Sequence, residues 1–324
     1  MFARIVPDVA VKYGLAVARV GGVQKGYRNE SYPLTLANGV TVNLIFYKRE
    51  PSILRRITTA DRVAAHAAQA GLPVRTRYDS RLLKIGNGYA GVYKYLPGQT
   101  ISWEAYTKRH IKLVGWAMAD LHQSLQDLPS DGSLLANELH ELIGRMQQYF
   151  TAPNVRAAMA YKLGVTLDPQ MFDGFLQLVE HSRKLAGRQY LHMDMVRGNV
   201  LFAEALPDMR WHIDDVSISG LIDFEKAAIG LPVCDVARTL AFLLVDCPKP
   251  ADKIYKYFID SGYRKRGGQG IAHVELLSHF IRLFLVHDLY KFLRHTPYES
   301  LRDNYHYSRT CQLLKDYGMI SSKI

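Results

Sequence analysis

Cysteine is scarce in this chain: Cys234, Cys247 and Cys311 are the three in 324 residues, and no two form a Cys-x-x-Cys pair. That excludes a disulfide framework and a cysteine-based zinc site, and it suits reduced thiols in a cytoplasmic protein. No apolar run approaches the roughly 20 residues that cross a bilayer, so no membrane attachment is expected. The N-terminus alternates charged and apolar residues (Arg4, Asp8, Lys12, Arg19), so no signal peptide is expected. Internal repeats and low-complexity stretches are absent. What remains is a globular composition, 48% hydrophobic and 22% charged, long enough for a large core split between two domains.

Charge is plentiful but uneven. Residues 1–100 carry 15 Lys and Arg against 5 Asp and Glu, a net of +10. Residues 101–229 carry 12 against 16, a net of −4, and residues 230–324 carry 14 against 9, a net of +5. The basic first segment suits phosphate or a nonspecific nucleic-acid partner. With no nucleic-acid motif beside it, it reads as a solvated basic surface, and no specific nucleic acid is expected.

The polar residues of interest cluster late. Tyr190-Leu-His-Met-Asp-Met-Val-Arg-Gly-Asn-Val-Leu-Phe202 contains His192, Asp194 and Asn199, and Ile218-Ser-Gly-Leu-Ile-Asp-Phe-Glu225 ends an apolar run on Asp223. Alone, an Asp-x-x-x-x-Asn is more often a turn than a site, and a lone histidine is more often a core residue. Here His, Asp and Asn occur together at catalytic-loop spacing, a strand-like run follows, and a second carboxylate comes at hairpin distance. Phosphoryl transfer needs that inventory: a carboxylate beside the attacking hydroxyl, and an oxygen ligand and a second carboxylate for Mg²⁺ on the nucleotide.

With these residues the chain resembles the aminoglycoside phosphotransferase and choline kinase family. Asp223-Phe-Glu225 stands where protein kinases have Asp-Phe-Gly, and Gly230-Leu-Pro-Val-Cys-Asp235-Val-Ala is similar to the family's Gly-x-Pro-x-x-Asp-Leu-Ala. Asp235 is read as capping a helix that starts at Val236. Gly91-Val-Tyr-Lys-Tyr-Leu-Pro-Gly98 resembles the hinge between lobes, Ala117-Met-Ala-Asp-Leu-His122 the Leu-His-bearing helix, and Gly71-Leu-Pro-Val74 the end of the N-lobe helix. The resemblance covers about residues 20–245. It implies an α+β, protein-kinase-like bilobal fold: an N-lobe over 1–95, an antiparallel sheet with one helix, and a larger, mostly helical C-lobe over 96–324.

The resemblance also implies roles. Asp194 accepts or orients the hydroxyl proton, His192 braces the loop, and Asn199 and Asp223 ligate Mg²⁺, with Glu225 reaching the metal through water. Val196 stands where protein kinases place a lysine; Arg197 either supplies that charge or is a plain loop cation. Gly21, Gly22 and Gly26 form a glycine turn suited to phosphate approach, followed by Asn29-x-x-Tyr32, and two strands flank an Asn38-Gly39 hairpin turn. The family's strand lysine falls on Ile45 when counted from that turn. Lys48, or Arg49, is taken as the cation, with Asp61 on the helix Thr58–Ala70 as its acid. Backbone groups around Lys94, Tyr95 and Leu96 hold the adenine of ATP, GTP being the alternative.

Beyond Asp235, apolar spacing predicts helices over 236–244, 253–259, 273–292 and 302–317, with a mobile basic connector at 263–270. His287, Asp288, Lys291 and His295 share one helical segment and line either an acceptor pocket or a surface face. The expected activity is ATP- and Mg²⁺-dependent phosphorylation of a small-molecule hydroxyl by a monomer or homodimer. The positive C-terminal charge points away from a polycationic aminoglycoside and towards a neutral, zwitterionic or anionic acceptor. The alternative is a nucleotide-binding pseudokinase without turnover.

Overall fold

The structure, a computed structural model, describes residues 3–25, 29–48, 50–206, 208–267, 270–301 and 303–322. The chain divides into two compact units: residues 1–100 with 199–227, and residues 101–198 with 228–324.

The first unit is built on an antiparallel sheet. Val17–Val20, Glu30–Leu36, Thr41–Tyr47, Gly88–Lys94 and Arg77–Ile85 lie side by side in that order, and Gln24–Lys25 pairs back onto Glu30–Leu36. The Asn38-Gly39 turn forms as the sequence predicts: Gly39 takes φ +83°, and Asn38 Oδ1 accepts the Val40 N–H at 3.1 Å. Alternation along Thr41–Tyr47 sends Val42, Leu44 and Phe46 into one core with Val9, Leu34 and Val92. Ile45 and Tyr47 face the other way and pack with Ile53, Ile57 and Tyr93. The helix Ile53–Gln69 covers that second face with Ile53, Ile57, Ala60, Val63, Ala64 and Ala67 at helical spacing. It starts before the expected Thr58 because Ile53 and Ile57 extend the apolar stripe, and Gly71 at φ +77° releases the chain at its end.

A second small sheet completes this unit. Val200–Glu204 pairs with Val216–Leu221, and Trp211–Ile213 adds a third strand. Gln99 and Phe202 exchange both backbone hydrogen bonds, at 2.9 and 2.8 Å, which ties residues 199–227 to 1–100. Gly98 permits this close pass: its φ is +114°, and a Cβ there would meet Ser219 Oγ and the Phe202 carbonyl oxygen.

The second unit is mostly helical. Its longer helices are Lys108–Ser124, Leu135–Thr151, Met171–Lys184, Pro232–Asp246, Leu277–His295 and Tyr305–Asp316, with Gln189–Leu191 paired to Ala228–Gly230 and Val165–Leu167 to Ile320–Ser322. Several bounds differ from expectation. The helix expected over 236–244 begins four residues earlier, at Pro232, whose fixed φ suits a first turn. The one expected over 253–259 is Ala251–Tyr255 followed by a π-helix, Lys256–Arg264. That π-helix lies against Lys108–Ser124 where two glycines meet: a Cβ on Gly115 would fall 2.9 Å from Gly262 Cα and 2.9 Å from Tyr263 N. Trp116 Nε1 donates to the Ser261 carbonyl across the same contact at 3.1 Å.

The basic stretch from Tyr263, expected as a mobile connector, is helical through Gly267. Arg266 anchors it, 3.0 Å from the buried Asp120 carboxylate and 5.7 Å from the Trp116 ring centroid. Residues 268 and 269 lie outside the described residues, as do Gly26, Arg49 and Arg302. The last long helix starts at Tyr305, where Asn304 Oδ1 caps the Tyr307 N–H at 2.9 Å. Its His306 imidazole stands between the carboxylates of Asp246 and Asp288. Among the described residues no helix is long and apolar enough to cross a membrane.

Candidate active site

The loop that carries Asp194 belongs to the second unit. The strand Gln189–Leu191 leads into it, and His192 is fully buried. Met193 takes φ +58°, a strained value for a side chain of its size. Asp194 N–H then donates to His192 Nδ1 at 3.2 Å, and Val196 N–H closes a tight turn onto the Asp194 carbonyl at 2.8 Å. His192 therefore braces the loop from within.

One face of the helix Pro232–Asp246 grips the same loop at three places. Asp235 is fully buried and accepts the N–H groups of His192 at 2.8 Å and Met193 at 3.0 Å. Thr239 Oγ1 donates to the Met195 carbonyl at 3.1 Å, and the Arg238 guanidinium lies 3.6 Å from Asp194 Oδ1. Asp235, Arg238 and Thr239 are spaced i, i+3, i+4, so a helix brings all three to one side. Asp235 is thus no cap. It lies inside the helix's first turn with its carboxylate turned onto the loop, and burial there leaves it no solvent to face.

His122, from the Lys108–Ser124 helix, completes the support: its Nε2 is 3.2 Å from Asp235 Oδ2 and its Nδ1 2.8 Å from the Tyr263 hydroxyl. Burial alone would raise the Asp235 carboxyl, but the bonds from His122 and from the His192 backbone outweigh it and hold the group below its ordinary range. Arg197 sits in the 3₁₀ turn Arg197–Asn199 with its side chain exposed.

The metal-ligand candidates belong to the first unit. Asn199 is buried at the start of Val200–Glu204, and its carbonyl accepts the Ile222 N–H at 3.0 Å, which ties it to the residue preceding Asp223. Asp223 takes φ +63°, another left-handed non-glycine residue. Two oxygen-donor side chains of this kind fit Mg²⁺, which binds through one or two carboxylates and completes its shell with phosphates and water. Among the described residues no group of three or more His, Cys, Asp or Glu could hold a metal, so a closed transition-metal cage is not what this donor set resembles.

Asn29 Nδ2 donates to Glu225 Oε1 at 2.6 Å, which joins the glycine-turn segment to the residue two beyond Asp223. Gly21 is held by its N–H on the Pro33 carbonyl at 2.7 Å, and Gly22 faces open space. Lys94 closes the Gly88–Lys94 strand with its N–H on the Thr76 carbonyl at 2.9 Å, leaving Tyr95 and Leu96 as the following backbone donors.

The helix acid finds a different cation from the one expected. Asp61 is held by Arg77, Nε at 2.7 Å and Nη2 at 2.6 Å, both on Oδ2, and by the Tyr93 hydroxyl at 3.1 Å on Oδ1. Tyr47 donates to Tyr93 at 2.8 Å. Burial pushes the Asp61 carboxyl up, opposed by Arg77, Tyr93 and Arg75. Lys48 lies just past the strand end and is exposed. Arg77 does the pairing because it opens the neighbouring strand Arg77–Ile85, directly across from Tyr93.

Of the helical quartet in the second unit, His287, Asp288 and Lys291 line one cleft of ≈ 250 Å³ with Arg238, Phe242, Phe284 and others, whereas His295 is exposed at its helix end. Arg238 lies between aromatic rings, 5.7 Å from the Phe242 centroid and 5.5 Å from that of Phe284. Lys291 is 2.9 Å from Asp288 and 5.6 Å from the Phe242 centroid. Arg238, Thr239, Arg75 and Arg77 were not read from the sequence. For the first two a signal was present, their spacing from Asp235.

The fold is α+β and kinase-like. A profile of the phosphotransferase enzyme family (APH) matches residues 20–266, and the chain belongs to that family. Amicoumacin kinase, solved with AMP-PNP, Ca²⁺ and Ami, is similar in structure at 14% identity and TM-score 0.66, over 96% of this chain and 95% of that one. A macrolide 2′-phosphotransferase from Brachybacterium faecium matches at 14% identity and TM-score 0.57, over 91% and 94% of the two chains. An aminoglycoside 2′-phosphotransferase solved with GDP matches at 16% identity and TM-score 0.56, over 98% and 95%. At these identities the likeness is one of fold. No curated protein matches the chain.

Proposed function

We propose that this phosphotransferase moves the γ-phosphoryl group of ATP to a hydroxyl of a small molecule in a Mg²⁺-dependent reaction. The observation that carries this reading is the grip of Asp235, Arg238 and Thr239 on residues 192–195, which fixes the Asp194 carboxylate before any substrate arrives. The acceptor oxygen attacks the γ-phosphorus, its proton passes to Asp194, and the bond to the β–γ bridging oxygen breaks to leave ADP. Asn199 and Asp223 would hold Mg²⁺, which neutralises charge on the phosphates. Glu225, steadied by Asn29, stands next in line for a water-mediated contact. Backbone groups of Tyr95 and Leu96 would hold the adenine.

ATP is favoured because the amicoumacin kinase carries AMP-PNP; the GDP complex of another neighbour makes GTP the donor to test beside it. The acceptor is neutral, zwitterionic or anionic. The cleft lined by Arg238, whose guanidinium reaches Asp194, presents the cations Arg238 and Lys291 among phenylalanines, and its carboxylate Asp288 is already engaged by Lys291 and His306. A polycation finds little uncompensated negative charge there. Three buried free cysteines suit a cytoplasmic enzyme. One observation favours a second reading, nucleotide binding without turnover: the strand Thr41–Tyr47 holds no lysine, and Ile45, where the resemblance counts one, is buried.

Labelled ATP and GTP, tested against amino alcohols, sugars, macrolides and aminoglycosides, decide between the two readings. The proposal expects Mg²⁺-dependent transfer from ATP, with Asp194→Asn lowering turnover at least about a hundredfold. Efficient kanamycin phosphorylation would overturn the acceptor class. Nucleotide binding without transfer to any acceptor would overturn the reaction.

A further inference from the structure

Counted from the Asn38-Gly39 turn, Ile45 falls where the resemblance places a phosphate-binding lysine, and the strand Thr41–Tyr47 holds no lysine. Ile45 is buried among Tyr47, Ile53, Ile57 and Tyr93. Directly opposite it in the sheet is Gly91, and a Cβ on Gly91 would lie 2.8 Å from Arg77 Nη1. The missing side chain at 91 therefore makes room for the Arg77 guanidinium. That cation is already committed: Nε and Nη2 serve Asp61, and Nη1 donates to the Arg81 carbonyl at 2.9 Å.

Arg75, two residues before the strand Arg77–Ile85 begins, is differently placed. Its guanidinium lies 5.7 Å from the Tyr93 ring centroid, and its charge favours ionised Asp61, whose close partner is Arg77. Its backbone runs beside the strand that delivers Asp223: Arg75 N–H donates to the Leu221 carbonyl at 3.0 Å, and Leu221 N–H donates to the Pro73 carbonyl at 2.9 Å. The Tyr47 hydroxyl, pushed up by burial, also feels the charges of Glu225 and Arg75. An aromatic face under the guanidinium limits its rotation while leaving its N–H edges available.

We propose that Arg75 is the cation that contacts the nucleotide phosphates, replacing the strand lysine. This rests on the nucleotide-dependent reaction proposed above. An arginine presents two parallel N–H donors to a phosphate where a lysine offers a point charge, so the replacement keeps the charge and adds directionality. It also places the cation on the segment docked against Leu221, two residues before the metal-binding Asp223.

The test is equilibrium binding of a fluorescent ATP analogue and of adenosine, with Mg²⁺, to the full chain. Arg75→Ala weakens binding of the triphosphate by about tenfold or more, the scale of a lost charge-assisted hydrogen bond, and leaves adenosine binding unchanged. Arg75→Lys restores part of the loss, and circular dichroism shows that both variants are folded. Wild-type triphosphate affinity in Arg75→Ala overturns the proposal, as does a loss found in Lys48→Ala but not in Arg75→Ala. If the wild type binds no nucleotide, this inference and the proposed reaction fall together. If it binds ATP yet transfers phosphate to no acceptor, the reaction falls while the Arg75 assignment is still decided by affinity.

Discussion

Replacing Asp235 with alanine should cost both stability and turnover. Its carboxylate accepts two backbone N–H groups, from His192 and Met193, in a site closed to solvent. Hydrogen bonds to a charged partner contribute about 1.5–3 kcal/mol each, and both donors would be left buried without an acceptor. The left-handed Met193 adds about 1–2 kcal/mol of backbone strain that these bonds now offset. With that strain released, a net loss of about 2–4 kcal/mol follows, large against the 5–15 kcal/mol typical of whole domains but short of unfolding most of them. Relieving the strain lets the loop move, so Asp194 leaves its position and turnover falls about a hundredfold or more. Asp235→Asn keeps one oxygen acceptor and should show roughly half the loss. Urea unfolding midpoints read the stability, and labelled-phosphate transfer reads the turnover. An alanine variant within about threefold of wild-type turnover, or less than about 1 kcal/mol less stable, would refute the idea that this carboxylate holds the loop.

Two further outcomes concern the scaffold. For His306, burial alone would lower the pKa, but hydrogen bonds and charge from Asp246 and Asp288 raise it from 6.5 to about 9. This stabilisation, about 3 kcal/mol at most, is full below about pH 6.5 and is lost as pH rises through 9. Chemical denaturation at pH 6.5 and 9.5 should show that decline in the wild type and a flatter profile in His306→Gln; equal profiles would refute it. Gly115→Ala would drive a Cβ into the backbone of Phe258, Gly262 and Tyr263, which cannot yield as a side-chain tip can. A loss of about 1–3 kcal/mol is expected, with lowered turnover because Tyr263 supports His122; unchanged thermal unfolding would show that the π-helix can shift.

The short loop carrying His192, Asp194 and Asn199 between two strands, and the strand ending before Asp223, were legible because such segments are short and their geometry is local. The Asn38-Gly39 hairpin was legible for the same reason. The partner of Asp61 was not. Arg77 lies sixteen residues on, and its pairing depends on sheet register, on a shift in that register between Arg77 and Leu82, and on the space left by Gly91. Sequence shows none of these directly. The π-helix Lys256–Arg264 was missed because apolar periodicity assumes 3.6 residues per turn, whereas the Gly115–Gly262 contact sets this segment's winding. Asp235 was recognised as structural but placed outside its helix, since Pro232 rather than the carboxylate marks the start.

The division of the chain has a consequence for its synthesis. The first unit takes residues 1–100 and 199–227, and the second takes 101–198 and 228–324, so each is interrupted by the other. A ribosome that has made only the first hundred residues has supplied Gln99, Pro73 and Arg75 without the Phe202 and Leu221 to which they bond. Nearly a hundred further residues must emerge before Gln99 and Arg75 can find them, and all of these belong to the other unit. The backbone groups at residues 73–75 and 99 that will receive residues 199–227 stay unpaired through that interval, a period in which the nascent chain is open to aggregation or to chaperones. The order of assembly is set as well: the first unit can close once residue 227 is made, while the unit that holds Asp194 waits for its C-terminal helices.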